Sequence, residues 1–418
     1  MTAVTSSSPN LPLAGVRVLD LGQIYAGGYA SLLLAMAGAD VIKVEPPGGE
    51  NLRRRGAVGG GAYPFAMLNS NKRAIVVDLK TEEGRDLLTS LASHCDVLVE
   101  NFKPGVMDRL GVGRDVIKTV NPDLIFVSSS GYGRDSDYSG MSAMDLTVQA
   151  VAGVMSTTGF PDAPPVKAGP AIVDFLTGVH VFAGICASLY GRERTHAPTP
   201  VEVTMQESVY PSLMSSLGLY FANEESNGAD NEGQVWRTGN RHSGYAESPY
   251  NVYAASDGYF AVICVTDGHW LSLAELIGGT ELQSDSRFRT LAGRVDLMDD
   301  LDEIVGHWAR GFTRAELHRM LGERGVPCAP IKELPEVVND PNLWKRRMLQ
   351  KVDHPDLGEI VGTSSPIRFG DGPRGPLAAS PQLGQHTREV LTEMLSLSTE
   401  QIDELEQKGA IRCAAKQS

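Results

Sequence analysis

Residues 16–45 read VRVLDLGQIYAGGYASLLLAMAGADVIKVE, and this stretch decides the fold that we expect. VRVLDL, at residues 16–21, is typical of a buried strand, LLLAMAGA of a helix, and VIKVE, at residues 41–45, of a second strand. A strand, a helix and a strand in this order form a βαβ unit, whose two strands lie parallel. The sequence therefore predicts an α/β fold with a parallel sheet.

Further strands are predicted downstream of this unit, at residues 96–100 and 124–129. Asn101, Phe102 and Lys103 follow the first of these, so they lie at the carboxyl end of a strand, where ligands bind in open α/β sheets. Beyond residue 246, a strand at 259–265 and three helical patterns up to residue 324 indicate a second, smaller α+β domain. A dinucleotide site is only weakly indicated, because Gly27 and Gly28 do not form the pattern G-x-G-x-x-G.

Composition and charge narrow the classes of function. The 418 residues are 42 % hydrophobic and 21 % charged, with a net charge of −14, which argues against nucleic acid or an anionic membrane as the main partner. Five scattered cysteines predict reduced thiols in a cytoplasmic protein, with no disulfide framework and no metal site. The first ten residues have neither a basic start nor an apolar segment, so we expect no signal peptide.

A single acid, Asp174, marks the start of an apolar run at residues 171–190. Apolar residues then recur at helical spacing, which predicts a buried soluble helix beginning near Asp174; Asp174 and His180 interrupt what would otherwise be a membrane-span candidate. An aspartate at a helix start is usually an N-cap. It is also a candidate nucleophile, because the helix N-terminus favours the ionised carboxylate. The residues alone leave both interpretations open.

Several longer motifs together resemble the family III CoA-transferases, a group related to the alpha-methylacyl-CoA racemases. The resemblance covers almost the whole chain, from GVRVLDL to LGQHTREVL. The motifs that carry it are AGADVIKVEPPGG, NSNKRAIVVDLK, DVLVENFKPGVMDRLG, SSSGYG, PPVKAGPAIVDFLTGVH and TGNRH. It implies a Rossmann-like large domain with a parallel sheet, a smaller α+β domain, and a homodimer of two interlocked rings.

The resemblance also implies roles for individual residues. The nucleophilic aspartate of the family falls at Asp174, and a second acid 29 positions upstream falls at Asp145. No permanently bound cofactor is expected, because coenzyme A or its thioester is the substrate. The implied CoA contacts are Tyr25, Ala26, Val77, Asp78, Leu79, Lys80, Asn101, Phe102, Lys103, Arg109, Ser142, Ala143 and Met144.

Basic residues fit a ligand that carries phosphates, in spite of the acidic total. We expect about half of them to be solvated surface cations and the rest to contact CoA. The candidates are Lys72, Arg73, Lys80, Lys103 and Arg109.

Three positions depart from relatives within the resemblance. Formyl-CoA transferases have Gln in place of Tyr25 and Arg in place of Pro46, which argues against oxalate and formyl-CoA as substrates. Racemases have His in place of Met144. Since a racemase needs a base on each face of the α-carbon, a thioether at this position argues against racemisation.

The leading hypothesis is an acyl-CoA:carboxylate CoA-transferase that forms anhydride and aspartyl-CoA thioester intermediates on Asp174. Backbone N–H groups of the segment 239–244 are candidate donors to the developing oxyanion. The alternatives are an acyl-CoA racemase on the same fold and a non-catalytic CoA-binding protein. The acyl-CoA and a small carboxylic acid are the expected ligands.

Domain bounds follow from the composition of the chain and from the same resemblance. We predict a large CoA-binding domain at 1–205, a linker at 206–246, a small domain at 247–330, a second linker at 331–355, and a return to the large domain at 356–418.

Overall fold

The computed structural model describes residues 11–57, 60–227 and 234–414. They divide into two compact units. The first unit contains the chain up to Val148, then Ala171–Val209, and then the chain from Asp340 onward; the second contains Gln149–Pro170 and Tyr210–Asn339. The domain bounds drawn from the sequence stay a prediction.

Strands occur in both units and are numbered in chain order. They are β1 (Arg17–Asp20), β2 (Asp40–Glu45), β3 (Arg73–Val77), β4 (Val97–Glu100), β5 (Ile125–Ser130), β6 (Val201–Thr204), β7 (Tyr250–Ala255), β8 (Gly258–Ile263), β9 (Cys328–Pro330), β10 (Leu349–His354), β11 (Gly358–Thr363) and β12 (Ile411–Arg412).

Helices connect these strands. They are α1 (Ala26–Met36), α2 (Asn51–Arg54), α3 (Ala62–Leu68), α4 (Glu82–Ala92), α5 (Val106–Arg109), α6 (Arg114–Val120), α7 (Asp145–Val151), α8 (Val154–Thr157), α9 (Ile172–Thr195), α10 (Met205–Val209), α11 (Met214–Asn227), α12 (Asp267–Ser284), α13 (Leu291–Asp296), α14 (Met298–Ala309), α15 (Arg314–Gly322), α16 (Leu334–Val338), α17 (Pro341–Lys345), α18 (Thr387–Leu395) and α19 (Thr399–Gln407), with short 3-10 helices at Arg55–Ala57 and Tyr210–Leu213.

The first unit is organised around a seven-stranded sheet in the order β12-β3-β2-β1-β4-β5-β6. Strands β1 to β6 pair in parallel, and only β12 pairs antiparallel, against β3. The predicted parallel α/β sheet is confirmed. The order runs in one direction from β1 to β3 and in the other from β4 to β6, so the gap between the carboxyl ends of β1 and β4 is the switch point where such sheets bind ligands.

Both faces of this sheet are buried, because successive side chains in a strand point to opposite faces. Leu19 of β1 packs with α4 and α18, whereas its neighbour Val18 packs with α1 and α9. Val, Ile and Leu recur through the other parallel strands in the same alternation. Runs of apolar residues in the sequence therefore form strands between two helical layers.

Helix α9 covers one face of the sheet. Val181, Ile185 and Leu189 lie in its buried stripe and pack with residues of β1, β4 and β5. By length and composition the helix could cross a membrane. A core helix can have the same composition, and this helix packs against the sheet as a core helix does. It begins at Ile172, so Asp174 lies in its first turn.

The second unit has a three-stranded antiparallel sheet in the order β7-β8-β9. Strands β7 and β8 form a hairpin that closes at Ala255 and Gly258, where the sequence has Asp257-Gly258. Trp270, Phe288 and Leu301 are completely buried in the core that helices α12, α14 and α15 form with this sheet. The predicted smaller α+β part is confirmed.

Candidate active site

Asp174 lies in the first turn of α9, and only 8 % of its surface is exposed. Burial raises the pKa of Asp174 to about 7, and the negative charge of Asp145 adds to this shift. Since a buried carboxylate loses its water, its ionised form is destabilised and becomes more reactive towards an electrophile. A carboxyl group at this position can therefore exist in either protonation state near neutral pH.

Asp145 caps the helix that carries Asp174. Its Oδ1 accepts hydrogen bonds from the backbone N–H groups of Val173, at 2.9 Å, and Asp174, at 3.3 Å. The N-cap position of α9 is Ala171, and no side chain within the helix caps it. The interpretation of Asp174 as an N-cap is therefore wrong. A carboxylate from α7 satisfies the N–H groups instead, which leaves the Asp174 side chain without that task.

Helix α9 meets helix α1 on the same face that carries Asp174. Gly178 is four residues further along α9, and a Cβ at that position would lie 2.9 Å from the carbonyl oxygen of Ala26. Phe175 stacks on Tyr25 with ring centroids 5.9 Å apart and meets Tyr29 edge to face at 4.9 Å. Tyr25 and Ala26, two predicted CoA contacts, thus lie beside the helix turn of Asp174.

The loop from β1 to α1 is held by side chains from other strands. Asn101 accepts a hydrogen bond from the Gln23 N–H at 2.7 Å and donates one to the Gln23 carbonyl oxygen at 2.9 Å. Glu50 accepts a hydrogen bond from the Ile24 N–H at 3.1 Å. Asn101 is also a predicted CoA contact, and its side-chain amide is bonded to this loop, at the switch point of the sheet.

The remaining predicted contacts lie after the carboxyl ends of β3 and β4 and ahead of α7. Val77 is the last residue of β3, and Asp78, Leu79 and Lys80 follow it. Phe102 follows β4, and its N–H donates to Glu100 at 2.8 Å. Lys103 Nζ donates to Ser142 Oγ at 2.6 Å, which joins the β4 loop to the segment Ser142–Met144. Asp145, next in the chain, begins α7.

Known proteins share the sequence pattern of this chain over most of its length. The sequence pattern of CoA-transferase family III matches residues 13–387. The chain belongs to this family. The transferase is 37 % identical to formyl-CoA:oxalate CoA-transferase of Streptomyces coelicolor, over 96 % of its own length and 99 % of that protein. It is 34 % identical to succinyl-CoA–D-citramalate CoA-transferase of Chloroflexus aurantiacus, over 98 % and 100 %.

The fold is shared as well. A crystal structure of a CAIB/BAIF family protein from Brucella suis aligns with a TM-score of 0.77 and 34 % identity, over 92 % of this chain and 100 % of that one. The expected family and the expected reaction class are confirmed: the protein is an enzyme that transfers CoA between an acyl-CoA and a carboxylic acid.

The five candidate cations of the transferase fall into two groups. Lys72 is buried, 3.3 Å from Asp20, and burial lowers its pKa to about 8. Arg73 is bonded to Asp40 and lies 2.7 Å from Glu393. Each of these two cations is engaged by a carboxylate of its own fold, which argues against a contact with phosphate.

The other three cations are exposed and remain candidates. Lys80 and Lys103 are exposed side chains at the ends of β3 and β4. Arg109 is also exposed, and within the described residues its guanidinium forms no ion pair. A cation without an internal partner can bind a phosphate at a lower cost than one that must first leave a carboxylate.

Three of the backbone groups considered for an oxyanion site are already used. Arg241 N–H donates to the Thr238 carbonyl oxygen at 3.1 Å. Gly239 N–H donates to the Gly159 carbonyl oxygen at 2.9 Å, and Gly244 N–H donates to the His242 ring at 3.1 Å. All three contacts lie within the second unit. The prediction that backbone N–H groups of the segment 239–244 bind the oxyanion therefore applies only to the remaining N–H groups.

Sequence reasoning missed Glu50 and Gly178. A signal for Glu50 was present, because it is the one acid in the loop PPGGE, which follows the strand next to β1. The signal for Gly178 is a glycine inside a helical pattern, which usually marks a close packing contact. Neither signal identifies the partner, since each partner lies far away in the sequence.

Proposed function

We propose that the transferase works through covalent intermediates on Asp174. The observation that carries this proposal is a buried carboxyl group in the first turn of a 24-residue helix, whose N–H groups are capped by a different residue. The Asp174 side chain is left to act as an acceptor of an acyl group. Its burial excludes water, which would hydrolyse an anhydride.

The first half of the reaction loads CoA onto the enzyme. An ionised oxygen of Asp174 attacks the thioester carbonyl of the donor, the C–S bond breaks, and CoA leaves as a thiolate. The product is a mixed anhydride between Asp174 and the donor acid. The thiolate then attacks the aspartyl carbonyl, which releases the donor carboxylate and leaves CoA as a thioester on Asp174.

The second half runs in the reverse direction with a new acid. The acceptor carboxylate attacks the aspartyl thioester, the C–S bond breaks, and a second mixed anhydride forms as the thiolate leaves. The thiolate attacks the acceptor carbonyl of this anhydride. The new acyl-CoA is released together with the Asp174 carboxylate, so atoms and charge balance over the cycle.

Asp145 is proposed as a positioning residue for this carboxylate. It holds the backbone N–H of Asp174 and that of Val173, and so fixes the first turn of α9. Its charge also raises the pKa of Asp174. A carboxylate destabilised in this way is a stronger nucleophile once ionised, because less of its charge is stabilised in the ground state.

Coenzyme A is proposed to bind along the carboxyl edge of the sheet. Support comes from the switch point between β1 and β4, next to Tyr25 and Ala26, and from three exposed cations, Lys80, Lys103 and Arg109. The remaining proposed contacts are Val77, Asp78, Leu79, Asn101, Phe102, Ser142, Ala143 and Met144.

The acceptor is proposed to be a short dicarboxylic acid. The names of the two relatives support this, since oxalate and D-citramalate both carry two carboxylates. Tyr25 and Pro46 differ from the residues of formyl-CoA transferases, so the identity of the acid is tested with a panel of substrates. Purified enzyme is incubated with mixed acyl-CoAs and free acids, and the products are identified by mass.

We also propose a cytoplasmic homodimer. All five cysteines are free thiols, which supports a reducing compartment. Phe175, Val179 and Tyr190 on α9 are apolar and between 38 % and 64 % exposed in the single chain, which supports a second copy as their cover.

Asp174→Asn tests the mechanism. Asparagine has nearly the same shape but no anionic oxygen, so we expect the variant to fold and bind CoA almost normally while transfer falls by about three orders of magnitude or more. Activity above a few per cent, after spontaneous deamidation has been excluded by mass spectrometry, would refute the covalent route.

Trapping of the intermediate provides the control. Unmodified enzyme incubated with acyl-CoA alone should carry CoA or an acyl group on the peptide that contains Asp174, and hydroxylamine should remove it. Asp145→Asn should still form this adduct, because Asp145 positions the carboxylate and does not receive the acyl group.

A further inference from the structure

The backbone is strained directly ahead of the proposed CoA pocket. Ile24 has a φ of +59°, in the left-handed region that β-branched residues strongly avoid. The next residue is Tyr25, which stacks on Phe175, the neighbour of Asp174 in α9. An outlier of this kind persists only where the surrounding structure over-determines it.

Each of the three residues before Tyr25 is held by side chains from elsewhere in the first unit. Gly22 is held through both of its backbone groups, since its N–H donates to Asp20 at 2.8 Å and its carbonyl oxygen accepts a hydrogen bond from Lys43. Asn101 holds both backbone groups of Gln23. The strained residue itself is held by one side chain, because the Ile24 N–H donates to Glu50 Oε2 at 3.1 Å.

The burial of Glu50 at this position destabilises the folded state. It is 2 % exposed, and burial raises its pKa even though Lys43 opposes the shift. In the described part of the chain its second oxygen, Oε1, is buried without a hydrogen-bond partner. A buried acid with one unpartnered oxygen costs stability, and the attraction of Lys43 and the bond to Ile24 offset part of that cost.

We propose that Glu50 is a positioning residue for acyl-CoA binding: its carboxylate holds Ile24 in the left-handed conformation and thereby places Tyr25 and Ala26 in the CoA pocket. Without this bond, Ile24 relaxes to negative φ and turns the start of α1 away from the ligand. This inference rests on the proposed position of the CoA site next to Tyr25.

Three variants test the role of the bond. Glu50→Ala removes the acceptor, and we expect the KM for acyl-CoA to rise about tenfold, the equivalent of about 1.4 kcal/mol, with a smaller change in kcat. Glu50→Gln keeps an acceptor oxygen and should keep a KM within about threefold of the native value. Glu50→Asp has a shorter side chain and replaces the alanine variant if that variant does not fold.

Rescue separates positioning from general destabilisation. Glycine adopts positive φ without an anchor, so Glu50→Ala combined with Ile24→Gly should recover most of the lost KM. Ser396→Gly is the matched control, because Ser396 also has a left-handed backbone, with a φ of +56°, at the end of α18. Glu50→Ala combined with Ser396→Gly should remain as impaired as Glu50→Ala.

Three outcomes would overturn the inference. They are a native KM in both Glu50→Ala and Glu50→Asp, equal recovery by the Ile24 and Ser396 glycines, and a loss in Glu50→Gln as large as in Glu50→Ala. Tyr25→Ala, measured in parallel, shows which assumption failed. If it too leaves the KM unchanged, the CoA pocket lies elsewhere; if it raises the KM, only the role of Glu50 is refuted.

Discussion

The carboxyl group of Asp174 is subject to opposing effects. Burial and the charge of Asp145 raise its pKa, whereas its place in the first turn of a long helix favours the ionised form. With a pKa of about 7, both protonation states are populated at neutral pH. A weakly solvated nucleophile is therefore available without a separate base, and this has consequences for activity and for stability.

The rate of loading should depend on pH through this group. Only the ionised form attacks, so we expect kcat/KM for acyl-CoA to rise tenfold per pH unit below about 7 and to level off above it. Asp145→Asn should move the rise to lower pH, because it removes the neighbouring charge and keeps an oxygen that can accept the two N–H bonds. A profile that is flat between pH 5 and 9 would contradict the assignment.

The Asp174 carboxyl should lower the stability of the folded state over the pH range in which activity rises. Its pKa is higher in the folded state than the ordinary value of 3.8, so the folded state binds more protons between these values, and the free energy of unfolding falls as the pH rises through them. Asp174→Asn removes the ionisable group and with it this decrease in the free energy of unfolding. We expect the variant to be more stable than the native enzyme at pH 8, by an upper limit of about 4 kcal/mol, and to lose most of this advantage at pH 4.

Denaturant titrations at the two pH values measure this difference. A variant that is less stable at pH 8 than the native enzyme would mean that the carboxylate is stabilised by its surroundings, in contradiction to its raised pKa.

At the scale of elements, the contact between α9 and α1 places the nucleophile against the CoA pocket. Gly178 permits this contact, since an added Cβ would lie 2.9 Å from the Ala26 carbonyl oxygen and 3.1 Å from the Tyr29 ring. Real side chains do not tolerate the first of these distances against backbone. The two helices must therefore separate if any larger residue replaces this glycine.

Gly178→Ala should lower the free energy of unfolding by about 1–3 kcal/mol and raise the KM for acyl-CoA, because α1 shifts away from α9. Gly191→Ala is the matched control on the same helix, since a Cβ there meets no atom within 4 Å. It should gain about 0.5–1 kcal/mol from helix propensity and leave the kinetics unchanged. Thermal unfolding and initial rates of both variants measure these differences. Equal changes in stability and in KM for the two variants would exclude a packing role for Gly178.

At the scale of the whole molecule, the proposed homodimer makes a prediction about dissociation. If two chains interlock as the family resemblance implies, they separate only after partial unfolding. We expect sedimentation to show a single species of twice the 44.8 kDa chain mass down to nanomolar concentration. A monomer boundary that grows on dilution would refute interlocking.

The sequence by itself determined the class of fold and the reaction. Apolar strands of four to six residues alternate with helical patterns, and buried parallel strands between helices are the stable outcome of that order. The start of α9 near Asp174, the end of β4 before Asn101, and the family were all predicted correctly from local patterns and motifs. The two boundaries depend on residues that are close together in the chain, and the family depends on motifs that can each be read locally.

Only the tertiary structure decided which side chains are left free to act. Asp174 is not the cap of its own helix, because Asp145 reaches it from 29 residues upstream. Lys72 is held by Asp20, and Ile24 is held in a strained conformation by Glu50. Burial, pKa and hydrogen-bond partners arise from contacts between residues that are distant in the chain, and no local pattern contains that information.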